Sequence, residues 1–518
     1  MTDKNDERYL FNREPRVEIV KNEVPFKRIK LIDLIPQLIA SSTLYLLVIQ
    51  AGVNMSFSSV LISQLGDSHE IKIDTSTASI IGSIWSISLP FGAITSGLLM
   101  DKFGRKRVGF VICVPFFIAW LFICFATNVH IIYAARIMAG ICCGLTTVCV
   151  VYTAEISYKT FRSALLCMNS VWVSFGIFLT YLLNYFHFNW RNIGWIYALI
   201  TLLSMILIFY VPESPHWILF FNKKSSDECK DLQLKKCINW IYRCDEIALI
   251  QYEELMSSYR HVQNEMTNQT EENHWIRGIC LPQVYKPLII LIILFLLQQI
   301  AGGYILIFYT INIFRNLGNE FVTSVDENLA SLLLGSIRFI MAIIAAVLSQ
   351  KCNRKTLLYI STIGMTTFAY ITAIKMYNIN HHGHTLFLKP INISYIPLSL
   401  ENDESTNFGN YFLLTCILAY ILFASLGLLI IPWTCIAELF PIKYKASYGG
   451  LTVAIAYVLM SLVLKIFPYM LASVDIAIIF AIFGTSSFIC CIFVFFCLPE
   501  THRKTFTEIE NFFIGARD

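Results

Sequence analysis

Twelve stretches of about twenty apolar residues run through this 518-residue chain, and they leave it few ways to fold. A bilayer hydrocarbon core of about 30 Å takes roughly 20 residues of helix to cross. The stretches lie near 34–57, 77–100, 108–127, 130–154, 164–186, 193–211, 287–312, 327–349, 356–376, 411–435, 447–469 and 475–498. Inside a bilayer every backbone N–H and C=O must find a partner within the protein, which helices satisfy span by span. A membrane barrel of strands would show a much weaker alternation of apolar residues. The composition agrees, since 56% hydrophobic and 14% charged residues lie far from the balance of a water-soluble domain. The expected fold is an all-α membrane protein with twelve transmembrane helices.

Charge orients the spans. Of 39 Lys and Arg residues, this map puts 31 on one side, in segment 1–33, the loops after spans 2, 4, 8 and 10, the long central loop and the tail. Only Lys72, Arg191, Arg315 and Lys389 fall on the other side. Cytosolic loops carry such an excess, so both termini are expected in the cytosol. The first 30 residues are polar, with Lys4, Asp6, Glu7, Arg8, Arg13, Glu14 and Arg16, and lack the short apolar core and cleavage site of a signal peptide. A net charge of +4, scattered and without a basic and aromatic stripe, gives no footing for nucleic acid. Most of the sixteen cysteines lie in apolar runs or, like Cys229, Cys237 and Cys244, on the expected cytosolic side. Neither structural disulfides nor a metal centre is expected.

The long polar loop, about 216–286, divides the spans six and six, and its Leu234, Ile238, Ile241 and Leu249 are spaced to give one amphipathic face. The two sets of six echo each other. Asp101-Lys-Phe-Gly-Arg105-Lys after span 2 returns as Gln350-Lys-Cys-Asn-Arg354-Lys after span 8. Glu155 after span 4 returns as Glu438 after span 10, and Pro212-Glu-Ser after span 6 as Pro499-Glu-Thr after span 12. The expected organisation is a cytosolic segment 1–33, a six-helix bundle 34–215, a cytosolic linker 216–286 with amphipathic helices, a second six-helix bundle 287–498 and a cytosolic tail 499–518. Two pseudo-symmetric bundles related by an axis along the membrane normal place a solute site near the midplane between them.

Seven motifs are more specific. They are Gly97-Leu-Leu-Met-Asp101-Lys-Phe-Gly104-Arg105-Lys-Arg107, Arg136 with Gly140 and Gly144, Tyr152-Thr-Ala-Glu155 with Arg162, Pro212-Glu-Ser-Pro215, Gln298-Gln299-Ile-Ala-Gly302, Pro432-Trp433 with Ala437-Glu438-Leu-Phe, and Pro499-Glu-Thr501. In this order, each at its own place along the spans, they resemble the sugar porter family of the major facilitator superfamily over about residues 34–512. Within that family the likeness is greatest to the insect facilitated trehalose and glucose transporters. The resemblance implies the major facilitator fold and a sugar solute moved by alternating access.

Gly104 suits a tight turn between spans 2 and 3, while Asp101, Arg105, Glu155, Arg162, Arg354, Glu438 and Lys445 all fall at cytosolic span ends. Pairs among them form a candidate cytosolic gate that would latch the halves when the cavity opens outward; the competing account is that they only set topology. Exposed ion pairs are worth only about 0–1 kcal/mol, which suits a carrier whose closed state is slightly favoured. In span 7, Gln298 and Gln299 set donors and acceptors into an apolar helix, as a sugar hydroxyl requires. Adjacent residues point about 100° apart, so interhelical bonding competes for one of them, whereas the resemblance implies that both touch sugar. Phe308 and Tyr309 follow toward the outside, where the resemblance implies aromatic caps. Trp433 can stack on a sugar face and donate one hydrogen bond. Core packing or interface anchoring competes for each aromatic.

The chain departs from the resemblance at several positions. Ser170 stands where many glucose porters have Gln, Tyr304 where Asn follows the glycine, Arg338 for the Asn of span 8, and Ala456-Tyr457 for the Asn-Trp of span 11. Ser170, Tyr304 and Arg338 join the candidate site on that alignment. A charge inside a span is costly unless paired or wetted, so Arg338 binds solute oxygens, pairs with a carboxylate or snorkels to the interface. Gln350 and Asn353 replace the Asp and Gly of the second loop, predicting a weaker latch there, and Val150 replaces a Pro before Tyr152. Past Asp33, span 1 from Leu34 to Phe57 holds no acid. Sugar and proton symporters of the superfamily resemble one another in an embedded Asp there, so downhill transport is favoured. No phosphate-binding glycine loop suggests an ATP motor.

The expected function is therefore facilitated transport of trehalose or a hexose across the plasma membrane by a monomer, with no cofactor and no enzymatic activity. A proton-coupled carrier of a sugar or polyol is the first alternative. A sugar sensor that does not transport is the second, and the short tail after span 12 weighs against it. His381-His-Gly-His384 fits a solvated outer loop better than a metal site. Asn392-Ile-Ser394, in the long outer loop, is expected to be glycosylated. Asn268-Gln-Thr270 is not, being cytosolic, and Asn54-Met-Ser56 lies too near the membrane.

Overall fold

The computed structural model describes residues 34–67, 71, 74–158, 161–222, 227–266, 281–311, 313–314, 327–386, 404–441, 445–501 and 506–514. The elements among them are α1 (Ile35–Asp67), α2 (Thr75–Phe103), α3 (Arg105–Cys124), α4 (Val129–Leu145), α5 (Thr147–Ile156), α6 (Arg162–Tyr185) and α7 (Trp190–Phe209). The linker gives α8 (Pro215–Phe220), α9 (Asp227–Ile241) and α10 (Asp245–Met266). Then follow α11 (Pro282–Ile300), α12 (Gly303–Phe308), α13 (Glu327–Lys351), α14 (Arg354–Leu386), α15 (Glu404–Leu426), α16 (Ile431–Leu439), α17 (Lys445–Ser473), α18 (Ile476–Cys497) and α19 (Phe506–Ile514). Among the described residues, twelve helices are long and apolar enough to cross a membrane. Spans 4, 7 and 10 are each two consecutive helices, α4 with α5, α11 with α12, and α15 with α16.

The repeat seen in the sequence reappears in the packing. Within the first six spans α1 lies on α6, α2 on α4 and α3 on α7; within the second six α11 lies on α17, α13 on α15 and α14 on α18. The halves meet along two seams, α2 with α17 and α6 with α13. Lipid tails are as apolar as side chains, so helices associate through close backbone approach at small residues. A Cβ on Gly92 would stand 2.0 Å from the Ile141 carbonyl oxygen, and one on Gly144 2.2 Å from that of Leu89. Outward-facing Phe91, Leu98, Val111, Leu199 and Phe209 are exposed, as lipid-facing positions should be.

Three expectations about extent need correction, and the tail adds a helix. Helix α1 runs past Phe57 to Asp67, because hydroxyls that lower the hydropathy bond back into the helix: Ser58 Oγ donates to the Asn54 carbonyl at 3.0 Å. Helix α14 continues to Leu386, so His381-His-Gly-His384 extends a helix and is not loop. The linker's single amphipathic face is two helices broken at 242–244; Leu234, Ile238 and Ile241 are buried, but Leu249, beyond the break, is exposed. The tail carries α19, which buries Ile509 and Phe513 against the bundle, and Lys286 Nζ donates to the Phe513 carbonyl at 2.7 Å. Asn268 and Asn392 lie outside the described residues.

Candidate functional site

Span 7 is broken where the chain reverses to a left-handed residue. Gly302 has φ +81°, and a Cβ there would stand 2.6 Å from the Phe483 ring. The break frees backbone groups, and Tyr420 Oη donates to the Ala301 carbonyl. Span 10 is broken opposite it, between Leu426 and Ile431, with Pro432 in the first turn of α16. Gln298 Nε2 joins the two breaks by donating to the Leu428 carbonyl at 2.5 Å, and Gln299 Nε2 donates to Gln298 Oε1 at 3.4 Å. Both amides are buried.

Tyr304, the first side chain after the glycines, is the hub of the group. Trp433 Nε1 donates to its hydroxyl at 2.9 Å, and the Arg338 guanidinium from α13 lies 6.0 Å from its ring centroid. Phe295 and Tyr457 flank the Trp433 ring at centroid distances of 4.9 and 5.4 Å. Of the roles open to Arg338, burial among Tyr304 and Tyr181 excludes snorkelling, and no carboxylate among the described residues pairs with it. Its Nε has no partner among them either. Gln298, Gln299, Tyr304, Arg338 and Trp433 are thus brought to one place in the second half, where Arg338 faces Tyr181 of the first.

Three candidates lie elsewhere. Phe308 packs on Trp85 of α2 at 5.6 Å, and Tyr309 donates to the Leu464 carbonyl at 3.2 Å while resting on Phe467. Both belong to a closed seam at the end of the bundle opposite the basic loops. There Tyr181 Oη donates to the Ile307 carbonyl at 2.7 Å, Ile311 N–H to Ser59 Oγ at 3.1 Å, and Asn184 Nδ2 to Asn328 Oδ1 at 2.8 Å. Ser170 is half-buried on α6, and no hydrogen bond among the described residues ties its side chain to the central group.

At the basic end the charges form two matching clusters. In the first half, Arg105 donates to Glu155 Oε1 from Nη2 at 2.9 Å and from Nε at 3.2 Å, with Asp101 at 3.5 Å. Ser214 Oγ holds the other Glu155 oxygen. Glu213 Oε1 accepts the Lys106 N–H at 2.9 Å and so caps the first turn of α3. Gly104 permits this approach: its φ is +97°, and a Cβ would stand 2.5 Å from Glu213 Oε2. In the second half, Arg354 Nη2 donates to Glu438 Oε1 at 2.8 Å, Thr501 Oγ1 to Glu438 Oε2 at 2.6 Å, and the Arg354 N–H to Glu500 Oε1 at 3.0 Å.

These ion pairs close within each half, and the expected latch between halves is not formed by them. Across the seam, Cys167 on α6 packs instead with Ala342, Ala345 and Ala346 of α13. Arg162 is not paired with Glu155; its Nη2 donates to the Ser157 carbonyl at 3.4 Å, and it faces Tyr242 and Glu254 of the linker. The side chain of Lys445 lies outside the described residues. Glu213, Ser214, Glu500 and Thr501 are motif residues outside the candidate gate, and they complete both clusters. Their signal was present, since an acid followed by a hydroxyl recurs after spans 6 and 12, in step with Arg105 and Arg354.

One further charge is buried in span 4. Arg136 donates to the carbonyl and side-chain oxygen of Asn54 at 3.1–3.2 Å and to Ser58 Oγ. All its acceptors are neutral. This occupation also removes Asn54 as a glycosylation site, since the residue is buried inside the bundle.

Residues 41–513 match the family described as Sugar (and other) transporter. The chain belongs to that family. This transporter is 27% identical, over 92% of its length, to the facilitated trehalose transporter Tret1 of Apis mellifera ligustica, of which it covers 88%. It is 27% identical to Tret1 of Drosophila grimshawi over the same share but spans about half of that longer protein, 48%. It superimposes on the proton:xylose symporter XylE bound to 6-bromo-6-deoxy-D-glucose with a TM-score of 0.74 at 19% identity, covering 93% of this chain and 100% of that one. Inward-open XylE from E. coli gives 0.65 at 18%, covering 91% and 98%. The fold is the major facilitator fold, and the chain is a multi-pass membrane transporter and not an enzyme.

Proposed function

We propose that this transporter is a facilitative uniporter for trehalose or a hexose, working by alternating access in the plasma membrane with its basic end and both termini in the cytosol. The meeting of two helix breaks in the second half, beside the face that Arg338 turns to Tyr181 of α6, carries the reading. It gathers two amides, a phenol, a guanidinium and an indole around Gln298, Tyr304, Arg338 and Trp433. A sugar needs donors and acceptors for its hydroxyls and a flat apolar surface for its ring face, and this set offers both. The relatives named as trehalose transporters support the solute class. Because the ion pairs at the basic end lie within each half, the halves can part there without breaking them.

The surroundings of Arg136 support uniport. A proton-coupled cycle needs a group that titrates in the pathway. The partners of the buried Arg136 are an amide, a carbonyl and a hydroxyl, none of which changes charge. The deciding experiment is uptake into proteoliposomes of labelled trehalose, glucose, fructose and inositol with the proton gradient collapsed. Saturable uptake of trehalose or a hexose is expected. Uptake that vanishes with the gradient would establish the symporter, and binding without uptake would establish the sensor.

A further inference from the structure

A large cleft lies away from the central group of Gln298, Tyr304, Arg338 and Trp433. It has a volume of about 1180 Å³, at the upper end of what small-molecule pockets reach, and sits between the basic ends of α2, α3 and α7 and the linker helix α9. One wall is span surface, with Phe103, Val111 and Phe209 exposed along it. The other is the linker, which contributes Lys236 and Trp240, both facing solvent.

Its charges are asymmetric. Lys106, Arg107 and Lys236 line it against one carboxylate, Glu213, and that carboxylate is turned to the Lys106 and Ser214 N–H groups. Arg107 is exposed, with its guanidinium 5.9 Å from the Trp217 ring centroid, and Lys106 Nζ reaches the Phe209 carbonyl at 2.8 Å. Cations and indoles lining one cleft with apolar side chains at the ends of spans 3 and 6 match a headgroup joined to acyl chains. A soluble anion would leave the wall wet, and an uncharged lipid would leave the cations without partners.

We propose that this cleft is a binding site for one anionic phospholipid, its phosphate held by Arg107 and Lys236 and its chains lying along Val111 and Phe209. The lipid bridges the third span to the linker helix beside the Arg105 and Glu155 cluster. Each cation near an anionic headgroup contributes about fivefold in affinity, so removing two costs at least about tenfold.

The test uses the purified full-length chain in detergent, offered equal amounts of phosphatidylserine and phosphatidylcholine, with bound lipid counted by native mass spectrometry. Preferential retention of phosphatidylserine is expected. It should fall at least about tenfold in the double variant Arg107→Gln with Lys236→Gln. It should survive in Lys230→Gln with Arg260→Gln, which removes the same charge from linker positions outside the cleft. A photoactivatable phosphatidylserine should label peptides of α3 and α9. Equal retention of both lipids, equal loss in both double variants, or labelling confined to other helices would overturn the site. So would a cross-link from position 240 to segment 1–33 with no lipid labelling, since the chain itself would then fill the cleft. Each variant is first checked for a wild-type unfolding temperature, and Lys236→Gln alone serves if the double variant fails that check.

Discussion

Gln298 does two jobs that a single substitution will separate. Its amide N–H bridges the breaks of spans 7 and 10, and its oxygen accepts from Gln299, so it is both a strut and a candidate solute contact. Losing a hydrogen bond in a desolvated site costs about 1–3 kcal/mol, or roughly 5- to 150-fold in affinity. Gln298→Ala should therefore weaken solute affinity within that range and also lower the unfolding temperature. Gln299→Ala should weaken affinity with little change in stability. Affinity measured by counterflow and unfolding followed by intrinsic fluorescence check both; unchanged affinity in the two variants would remove span 7 from the site. The sequence allowed one of the two amides to serve interhelical bonding, and the structure gives that role to Gln298. What it did not reveal was the position of Phe308 and Tyr309. Spacing along a helix does not say where a break will redirect it, and Gly302 turns these rings into the seam at the far end.

At the scale of elements, helix ends carry most of what is new. Gly302→Ala places a Cβ in the left-handed region and against the Phe483 ring, at 2.6 Å. The backbone part alone costs about 1–2 kcal/mol. Reduced folded yield and weaker solute binding are expected, with a milder effect for Gly303→Ala, whose Cβ would meet only the mobile end of Leu429 at 3.0 Å. Size-exclusion profiles of the two variants make the comparison. Glu213 gives a pH test. Burial raises its pKa above the usual carboxylate range, against the opposing effect of the N–H groups of Lys106, Ser214 and Arg105 and of the Arg105 charge. In the interval between the unfolded and folded values the folded chain holds more protons, so stability falls as pH rises through that interval. Glu213→Gln keeps one oxygen for both N–H groups and should flatten this slope. Unfolding temperatures across the mildly acidic range would show it, and an unchanged slope would assign the dependence to another group. The spans were legible because hydropathy reports burial in lipid. Helix α19 and the break at 242–244 were not, because short interfacial helices are fixed by what they dock against.

For the molecule as a whole, the duplicated clusters are alike but not equal. Arg105 has Asp101 as a second acid at 3.5 Å, while the corresponding position in the second half is Gln350. Breaking a buried pair costs up to about 3 kcal/mol when the cation stays behind. Glu438→Gln should therefore lower the unfolding temperature more than Glu155→Gln; equal temperatures would show that Asp101 adds nothing. The place of Arg162 at a cytosolic span end makes it a candidate for the latch between the halves, but such a place does not fix the direction of a side chain. Arg162 turns to the linker instead.

Closure of the ion pairs within each half bears on how the chain can be divided. The linker helices side with the first half: Cys237 Sγ donates to the Glu213 carbonyl at 2.9 Å and Tyr242 Oη to the Ile156 carbonyl at 3.3 Å. A cut between α10 and α11 would sever no hydrogen bond of either cluster. Two separately encoded polypeptides, 1–270 and 271–518, should then meet along the α2 with α17 and α6 with α13 seams and restore uptake when co-expressed. Failure of the two pieces to co-purify would mean that the covalent tether supplies what the seams cannot. Success would make each half an inheritable unit, able to be exchanged between related carriers while its charge cluster travels with it intact.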